Sequence, residues 1–274
     1  MCSSDLADGK AHGDERRTLI QAEKRAAVEI KVLDEPVTVV VSAKGWVRAR
    51  QMHGHDAASF AFKAGDGLYG TFECRTIDTL LVFGSNGRVY SVAVSALPSA
   101  RGDGAPITSM IDLEVGTQVL HYWAGASDVL LLLASTAGYG LLANASDLFA
   151  RQRGGKGFLT LGDKDLPLPP ALASGGKDVA CASLSGRLLV FALGDLKVQP
   201  KGGRGLTLMD LEPKDALVSV AAFDGKLRAI GTGRGGKAKD ETLTANAVSA
   251  YRGQRARKGK TSELGFKPTL LLRV

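Results

Sequence analysis

The sequence predicts an all-β repeat protein, a propeller-like array of about five four-stranded blades. A hairpin signal recurs at Lys44-Gly45-Trp46, Asn86-Gly87-Arg88, Ala137-Gly138-Tyr139, Ser185-Gly186-Arg187 and Asp224-Gly225-Lys226, with glycines 42, 51, 48 and 39 residues apart. Three middle repeats also share offsets: Leu97, Leu148 and Leu196 stand ten residues past the turn glycine, and Ile107-Thr108, Leu159-Thr160 and Leu206-Thr207 follow 20, 21 and 20 residues past it. Independent hairpins would not keep such a register, whereas copies that bury one another must. The third observation is the run of apolar residues beside each turn, as in Leu80-Leu81-Val82-Phe83, Val129 to Leu133 and Leu188-Leu189-Val190-Phe191. Continuous runs of this length fit strands covered on both faces.

Along the chain, residues 1–34 read as a linker or the end of a preceding region. Within them Leu19, Ile20, Ala22, Ala26, Ala27 and Ile30 form a helix-compatible pattern after Asp14-Glu15-Arg16-Arg17. The β pattern begins at Val37-Thr38-Val39-Val40-Val41, and the blades are expected near residues 37–78, 79–128, 129–178, 179–226 and 227–274. Asn86-Gly87 and Asp224-Gly225 are the dipeptides of type I′ turns. Residues 232–247 interrupt the fifth repeat, so whether that blade closes the disc is left open.

The totals exclude several classes. With 34 glycines and 9 prolines the 274-residue chain is turn-rich and globular. Cys2, Cys74 and Cys181 lack the paired spacing of a zinc site or disulfide framework and read as reduced, buried thiols of a cytoplasmic protein. No apolar stretch approaches the ~20 residues of a membrane span. His53 and His55 have no evident third ligand, Asp163 and Asp165 read as a solvated loop pair, and Trp46 and Trp123 read as blade packing. Gly231 to Lys237 is glycine-rich and basic but lacks the Lys-Ser/Thr ending of a phosphate-binding P-loop. Neither a catalytic residue nor a metal ligand is assigned.

Charge is concentrated late. The chain carries a formal +7, and residues 226–260 hold ten basic and two acidic side chains. A polyanion is the natural partner of such a patch, because neutralising phosphates releases counterions; a solvated basic tail is the alternative. Within the repeats, basic residues gather where the chain leaves the +10 leucine: Arg101-Gly102-Asp103-Gly104, then Arg151-Gln152-Arg153-Gly154-Gly155-Lys156-Gly157, then Lys201-Gly202-Gly203-Arg204-Gly205. Equivalent loops should fall on one edge, where glycines admit close approach and expose N–H groups while Arg and Lys supply charge.

Residues 151–157, RQRGGKG, closely resemble the gyrase A box, QRRGGKG, of the C-terminal domains of bacterial type IIA topoisomerases. The stretches Glu35-Pro36-Val37-Thr38 to Gly45-Trp46-Val47-Arg48, Gly54-His55-Asp56, Lys63-Ala64-Gly65-Asp66 and Leu97 to Gly102 look like the corresponding domain of the topoisomerase IV A subunit. The resemblance covers roughly residues 35–274, and residues 12–17 resemble the end of the preceding region. It implies a β-pinwheel whose blades exchange strands and whose outer rim binds and bends duplex DNA. It also implies work within a bacterial, cytoplasmic, nucleoid-associated ATP-dependent topoisomerase, where the partners are the rest of the A subunit, together with the ATPase-bearing B subunit. Mg2+ and ATP would serve other parts of that enzyme, with no cofactor in this chain. None of Tyr69, Tyr90, Tyr122, Tyr139 or Tyr251 lies in a motif matching the catalytic tyrosine, so this chain alone should be inactive. The candidate DNA-binding residues are Arg48, Arg101, Arg151, Gln152, Arg153, Gly154, Gly155, Lys156, Gly157, Lys201, Arg204, Arg234, Lys237, Arg252, Arg255, Arg257, Lys258 and Lys260. In gyrase the full box stands in the first blade; here the best box is in the third repeat, which favours the topoisomerase IV type over a DNA-wrapping gyrase domain. A protein-binding propeller is the alternative of another class, disfavoured because these loops carry Arg, Lys and Gly rather than apolar side chains.

Overall fold

The computed structural model describes residues 33–274 except Ala100 and Arg101, and the backbone but not the side chain of Arg234. The helix-compatible segment 6–30, nearly all of the expected linker, Cys2 and Arg101 therefore lie outside the described residues.

Five antiparallel sheets succeed one another as blades, four of four strands and the last of three. In the first blade the order is Leu68–Arg75, Pro36–Ser42, Trp46–Gln51 and Ala105–Pro106. The second has Val119–Gly125, Thr79–Gly84, Arg88–Ala93 and Lys156–Gly157. The third has Ala171–Leu172, Leu130–Ala134, Tyr139–Asn144 and Leu206–Thr207, and the fourth Leu217–Phe223, Asp178–Ser183, Arg187–Ala192 and Lys260–Thr261. Each of the first four blades is thus a hairpin, a further strand of the same repeat, long in blades one, two and four and only two residues in blade three, and a two-residue strand contributed by the following repeat. The fifth blade, Phe266–Arg273, Leu227–Gly233 and Ala238–Leu243, has no such fourth strand among the described residues.

Alternation along each first strand joins the blades. Leu80 and Val82 pack with Val39 and Val41 of the first blade, while Leu81 and Phe83 pack with Leu131 and Leu133 of the third. Leu132 then meets Val179 and Cys181, and Ala180 and Ala182 meet Leu227 and Ala229. Each such strand lies between two neighbours, which is why its sequence is apolar throughout; fully burying one Leu or Phe contributes roughly 1.5–3 kcal/mol. The fifth blade differs: Leu227 and Ala229 are buried but Arg228 is exposed and Ile230 half-buried, so this strand is covered on one face only. Among the described residues four hydrophobic clusters link blades one to five in series, and none links the fifth to the first.

Two local expectations are corrected. The turns are not type I′, because only the glycine has positive φ: Gly45, Gly87, Gly138 and Gly186 lie at +80°, +78°, +84° and +89°, whereas Asn86 is not in that region. Their N–H groups bond to Ser42, Gly84, Ser135 and Ser183 carbonyls at 2.9–3.0 Å, the geometry of a type I turn followed by a left-handed glycine. Asp224-Gly225 is no hairpin at all. It links the last long strand of blade four to the first strand of blade five, and the fifth hairpin turns instead through Arg234–Gly236, with Gly233 N–H donating to Lys237 O at 2.9 Å.

The borrowed strands depend on one backbone feature. Gly104, Gly155, Gly205 and Gly259, each immediately before a borrowed strand, have φ of +91°, +64°, +80° and +70°. A β-carbon there would lie 2.3, 2.7, 2.2 and 2.5 Å from the carbonyl oxygens of Val47, Val89, Gly140 and Leu188 in the neighbouring hairpin. No L side chain fits such an approach. Gly205→Ala is therefore expected to destabilise by about 2 kcal/mol or more in urea unfolding, whereas Gly157→Ala, where nothing lies within 4 Å and φ is ordinary, should stay within about 0.5 kcal/mol.

Candidate nucleic-acid interface

The chain before each borrowed strand forms a strap, and the segment that follows one borrowed strand bonds to the next strap in order. Asp112 N–H, downstream of the first strap, donates to Arg153 O of the second at 3.0 Å. Thr160 N–H donates to Gly203 O, and Gly203 N–H to Phe158 O, at 3.0 and 2.8 Å. Asp210 N–H donates to Arg257 O at 3.1 Å, and Ala256 N–H to Leu208 O at 2.9 Å. The straps thus follow one edge as a backbone-bonded series. The last member, residues 252–259, is a fourth equivalent strap that the sequence presents only as a charged tail, because Gly225 suggests the wrong register for the fifth hairpin.

The expected interface residues divide into outward and committed groups. Arg151, Gln152, Lys201 and Lys237 are exposed, and the side chains of Arg151, Lys201 and Lys237 make no hydrogen bond or ion pair with any described residue. Arg153 is exposed but caps the preceding segment, donating to Met110 O at 3.1 Å and Ser109 O at 2.7 Å, with Asp112 at 3.7 Å. Lys156 is half-buried, its Nζ donating to Asp147 O and lying 5.2 Å from the Phe158 ring centroid. Gly154 and Gly157 have open space around them, whereas Gly155 is pressed onto Val89 and Tyr90. The expected role of strap glycines in approaching phosphate is thereby revised at Gly155: its missing side chain serves the neighbouring blade.

Arg204 lies over the Tyr139 ring at 4.1 Å. Arg252 forms a fork to Asp178 at 2.7 and 2.5 Å, and this hydrogen bonding holds the guanidinium pKa above its usual range. Arg255 donates to Thr207 O at 2.6 Å, Lys260 to Ala250 O at 2.6 Å, and Arg257 reaches Gln254 Oε1 at 3.4 Å. Lys258 meets Glu212 at 2.6 Å, a contact that raises the lysine pKa and lowers that of the carboxyl. Arg48 departs most from expectation. It is only 9% exposed, and its guanidinium donates to Gly102 O at 2.9 Å and Ala61 O at 2.7 Å beside Phe62. Arg48 is a strap support and is not on the outer edge.

Two supports of the straps were not expected from the sequence. Arg88 donates to Gly154 O and Gly155 O, both at 3.1 Å, and meets Glu114 at 3.1 Å. Arg187 donates to Gly259 O at 3.2 Å. Their signal was present, since both follow a hairpin glycine directly, but an arginine beside a turn looks like any solvated residue.

Acidic side chains fix the hairpin tips. Asp66, Asp165 and Asp215 accept from the N–H groups of Lys44, Ala137 and Ser185 at 3.0, 2.9 and 2.9 Å, each residue preceding a turn glycine. Asp165 also accepts from Thr136 Oγ1 at 2.9 Å and is 8% exposed, so the expectation of a solvated Asp163/Asp165 pair fails for Asp165. His53 and His55 bond to the carbonyls of Cys74 and Gln51 at 2.8 and 2.7 Å. Among the described residues no three His, Cys, Asp or Glu side chains are grouped to hold a metal ion. Cys74 and Cys181 are free and buried, and burial pushes the Cys74 thiol pKa up to about 12. No helix among the described residues is long and apolar enough to cross a membrane.

Five blades, four of them completed by a strand from the following repeat, with cation-bearing straps, define a β-propeller domain of the pinwheel kind. The profile described as DNA gyrase C-terminal domain, beta-propeller, matches residues 78–106, 130–165 and 177–224. The solved E. coli ParC C-terminal domain superposes with a TM-score of 0.75 at 30% identity, over 86% of this chain and 98% of that one. The chain belongs to this family, the C-terminal domains of the topoisomerase IV and gyrase A subunits. It is 33% identical over 261 residues to the DNA topoisomerase 4 A subunit of Neisseria gonorrhoeae, covering 92% of this chain and 34% of that protein. Against the E. coli K12 counterpart it is 36% identical over 214 residues, 77% of this chain and 28% of that protein. The chain thus spans about a third of the length of the curated relatives it matches. A gyrase A C-terminal domain shares the fold, with a TM-score of 0.61 at 20% identity over 85% of this chain and 81% of that one.

The acidic latches give a pH dependence of defined sign. Burial opposes ionisation of Asp215, yet hydrogen bonds from Ser185, Ser183 and the Ala216 N–H outweigh it and hold the carboxyl below its usual range. A depressed carboxyl stabilises the fold above its unfolded pKa and loses that contribution as pH falls through the folded value. Asp215→Asn is expected to cost about 1 kcal/mol at pH 7, a figure discounted for solvent screening. The difference from the parent in urea unfolding should shrink below about pH 4.

Proposed function

We propose that this domain binds duplex DNA without sequence preference along its strapped edge and bends it, presenting the segment to be transported during decatenation or supercoil relaxation by a topoisomerase IV. The observation that supports this reading is the serial backbone bonding that joins each strap to the segment before it, in a set of loops that carry the exposed cations Arg151 and Lys201. Contacts from such loops go to phosphates and fix position rather than sequence. Bending 20–30 bp by 40–90° costs roughly 1–6 kcal/mol, so several contacts must act together. Family membership supports the same reading.

In the whole enzyme the domain would act with the remainder of the A subunit, together with the ATPase-bearing B subunit, where Mg2+ and ATP are used, on the bacterial nucleoid. Alone it would bind DNA without cutting it.

Because many of the basic side chains already have partners within the protein, the number of phosphates neutralised should be about 4–6, and affinity should fall roughly 10²–10³-fold between 50 and 200 mM salt. Gel-shift titration of a linear duplex checks this. The double variant Arg151→Ala/Lys201→Ala should lower the salt slope by about two while leaving the unfolding curve in place. A parent complex insensitive to salt, or a double variant with the parent slope, contradicts the proposal.

A further inference from the structure

The residue directly after the hairpin glycine holds a strap or its flanking loop in each of four blades, through two chemistries. In blades two and four it is an arginine, Arg88 or Arg187, which donates to strap carbonyls: Gly154 O and Gly155 O at 3.1 Å, and Gly259 O at 3.2 Å. In blades one and three it is an aromatic ring that takes up a cation. Lys63 Nζ sits 3.4 Å from the Trp46 ring centroid and 3.8 Å from Asp103 of the first strap, and Arg204 of the third strap lies 4.1 Å over Tyr139. Arg88, Tyr139 and Arg187 thus meet strap groups directly, whereas Trp46 reaches the first strap only through Lys63, which belongs to the loop before Leu68–Arg75.

We propose that Arg88 and Tyr139 are positioning residues with opposite effects on the charge their straps present: Arg88 grips strap carbonyls and leaves Arg151 free, whereas Tyr139 takes up the guanidinium of Arg204 and leaves its strap only Lys201 without a described partner. The second blade illustrates the first case, since Arg151 is exposed and without a described partner. The third blade illustrates the second, since the face of Tyr139 attracts the Arg204 guanidinium and fixes it against the hairpin. The part of this inference that concerns duplex binding rests on the phosphate-binding reading above; the part that concerns strap anchoring does not.

The two anchor types make predictions of opposite sign, which a general structural role cannot do. Arg88→Ala should loosen the second strap and weaken duplex binding about 5- to 10-fold, with Arg88→Lys intermediate because an ammonium cannot fork across two carbonyls. Tyr139→Leu should release Arg204 and strengthen binding about 2- to 5-fold at 50 mM salt, with a steeper salt slope. Loss of affinity in both variants, or no change in either, overturns the proposal. Amide exchange is read on the same proteins without DNA. The Gly155 N–H, bonded to Gln152 O at 3.0 Å, should exchange at least tenfold faster in Arg88→Ala while the Leu80–Val82 amides keep the parent rate. Unchanged exchange at Gly155 refutes anchoring even if DNA binds; a parent that binds no duplex refutes the phosphate reading while the exchange result still decides the anchoring.

Discussion

A borrowed two-residue strand can join its neighbour only if the chain enters along the carbonyl row of that hairpin, and this close approach organises the molecule. Gly104, Gly155, Gly205 and Gly259 satisfy it with positive φ and no β-carbon. Because each strand comes from the following repeat, the segment leading to it must cross the blade boundary at the edge. Strand exchange, rather than any requirement of ligand binding, is what places the basic loops there. The arrangement repeats in blades one to four and ends at blade five, whose second strand, Ala238–Leu243, stays exposed along most of its length.

Charge is partitioned by the same geometry. Straps must be tied down, and the nearest groups available are often their own cations: Arg153 caps Ser109 and Met110, Arg252 forks onto Asp178, and Lys258 meets Glu212. The surplus in residues 226–260 therefore overstates what the last strap offers a polyanion. Exposed pairs of this kind contribute little stability each, but they hold their side chains in place, and Arg151 and Lys201 are left exposed and without a described partner. The edge is better described as a few free cations on a rigid frame than as a uniformly basic surface.

Much of this was legible in the sequence. Strands packed between two neighbours must be apolar throughout, and Leu80-Leu81-Val82-Phe83 and Leu188-Leu189-Val190-Phe191 carry that mark; the alternation of Leu227-Arg228-Ala229-Ile230 is the mark of the one-sided fifth blade. The fifth hairpin was misplaced because Asp224-Gly225 has turn chemistry, and turn chemistry does not reveal whether the strands on either side belong to one sheet or two. Positive φ at Gly87 was inferable, but the conformation at Asn86 depends on a carbonyl bond from Gly87 back to Gly84 that composition does not encode. Arg48 looked like an interface residue because burial of a guanidinium among carbonyls needs partners, Ala61 and Gly102, that are distant in sequence. The roles of Arg88 and Arg187 are hidden for the same reason: their partners come from straps more than sixty residues away.

The central claim is that the straps form one track. Amide hydrogen exchange with and without a 30-bp duplex tests it most directly, since every strap reports in a single experiment. If the straps form one track, residues 151–157, 199–205 and 252–259 slow together and with the same dependence on DNA concentration, while the inner strands are unaffected. Protection confined to one strap, or appearing at different DNA concentrations in different straps, would contradict it.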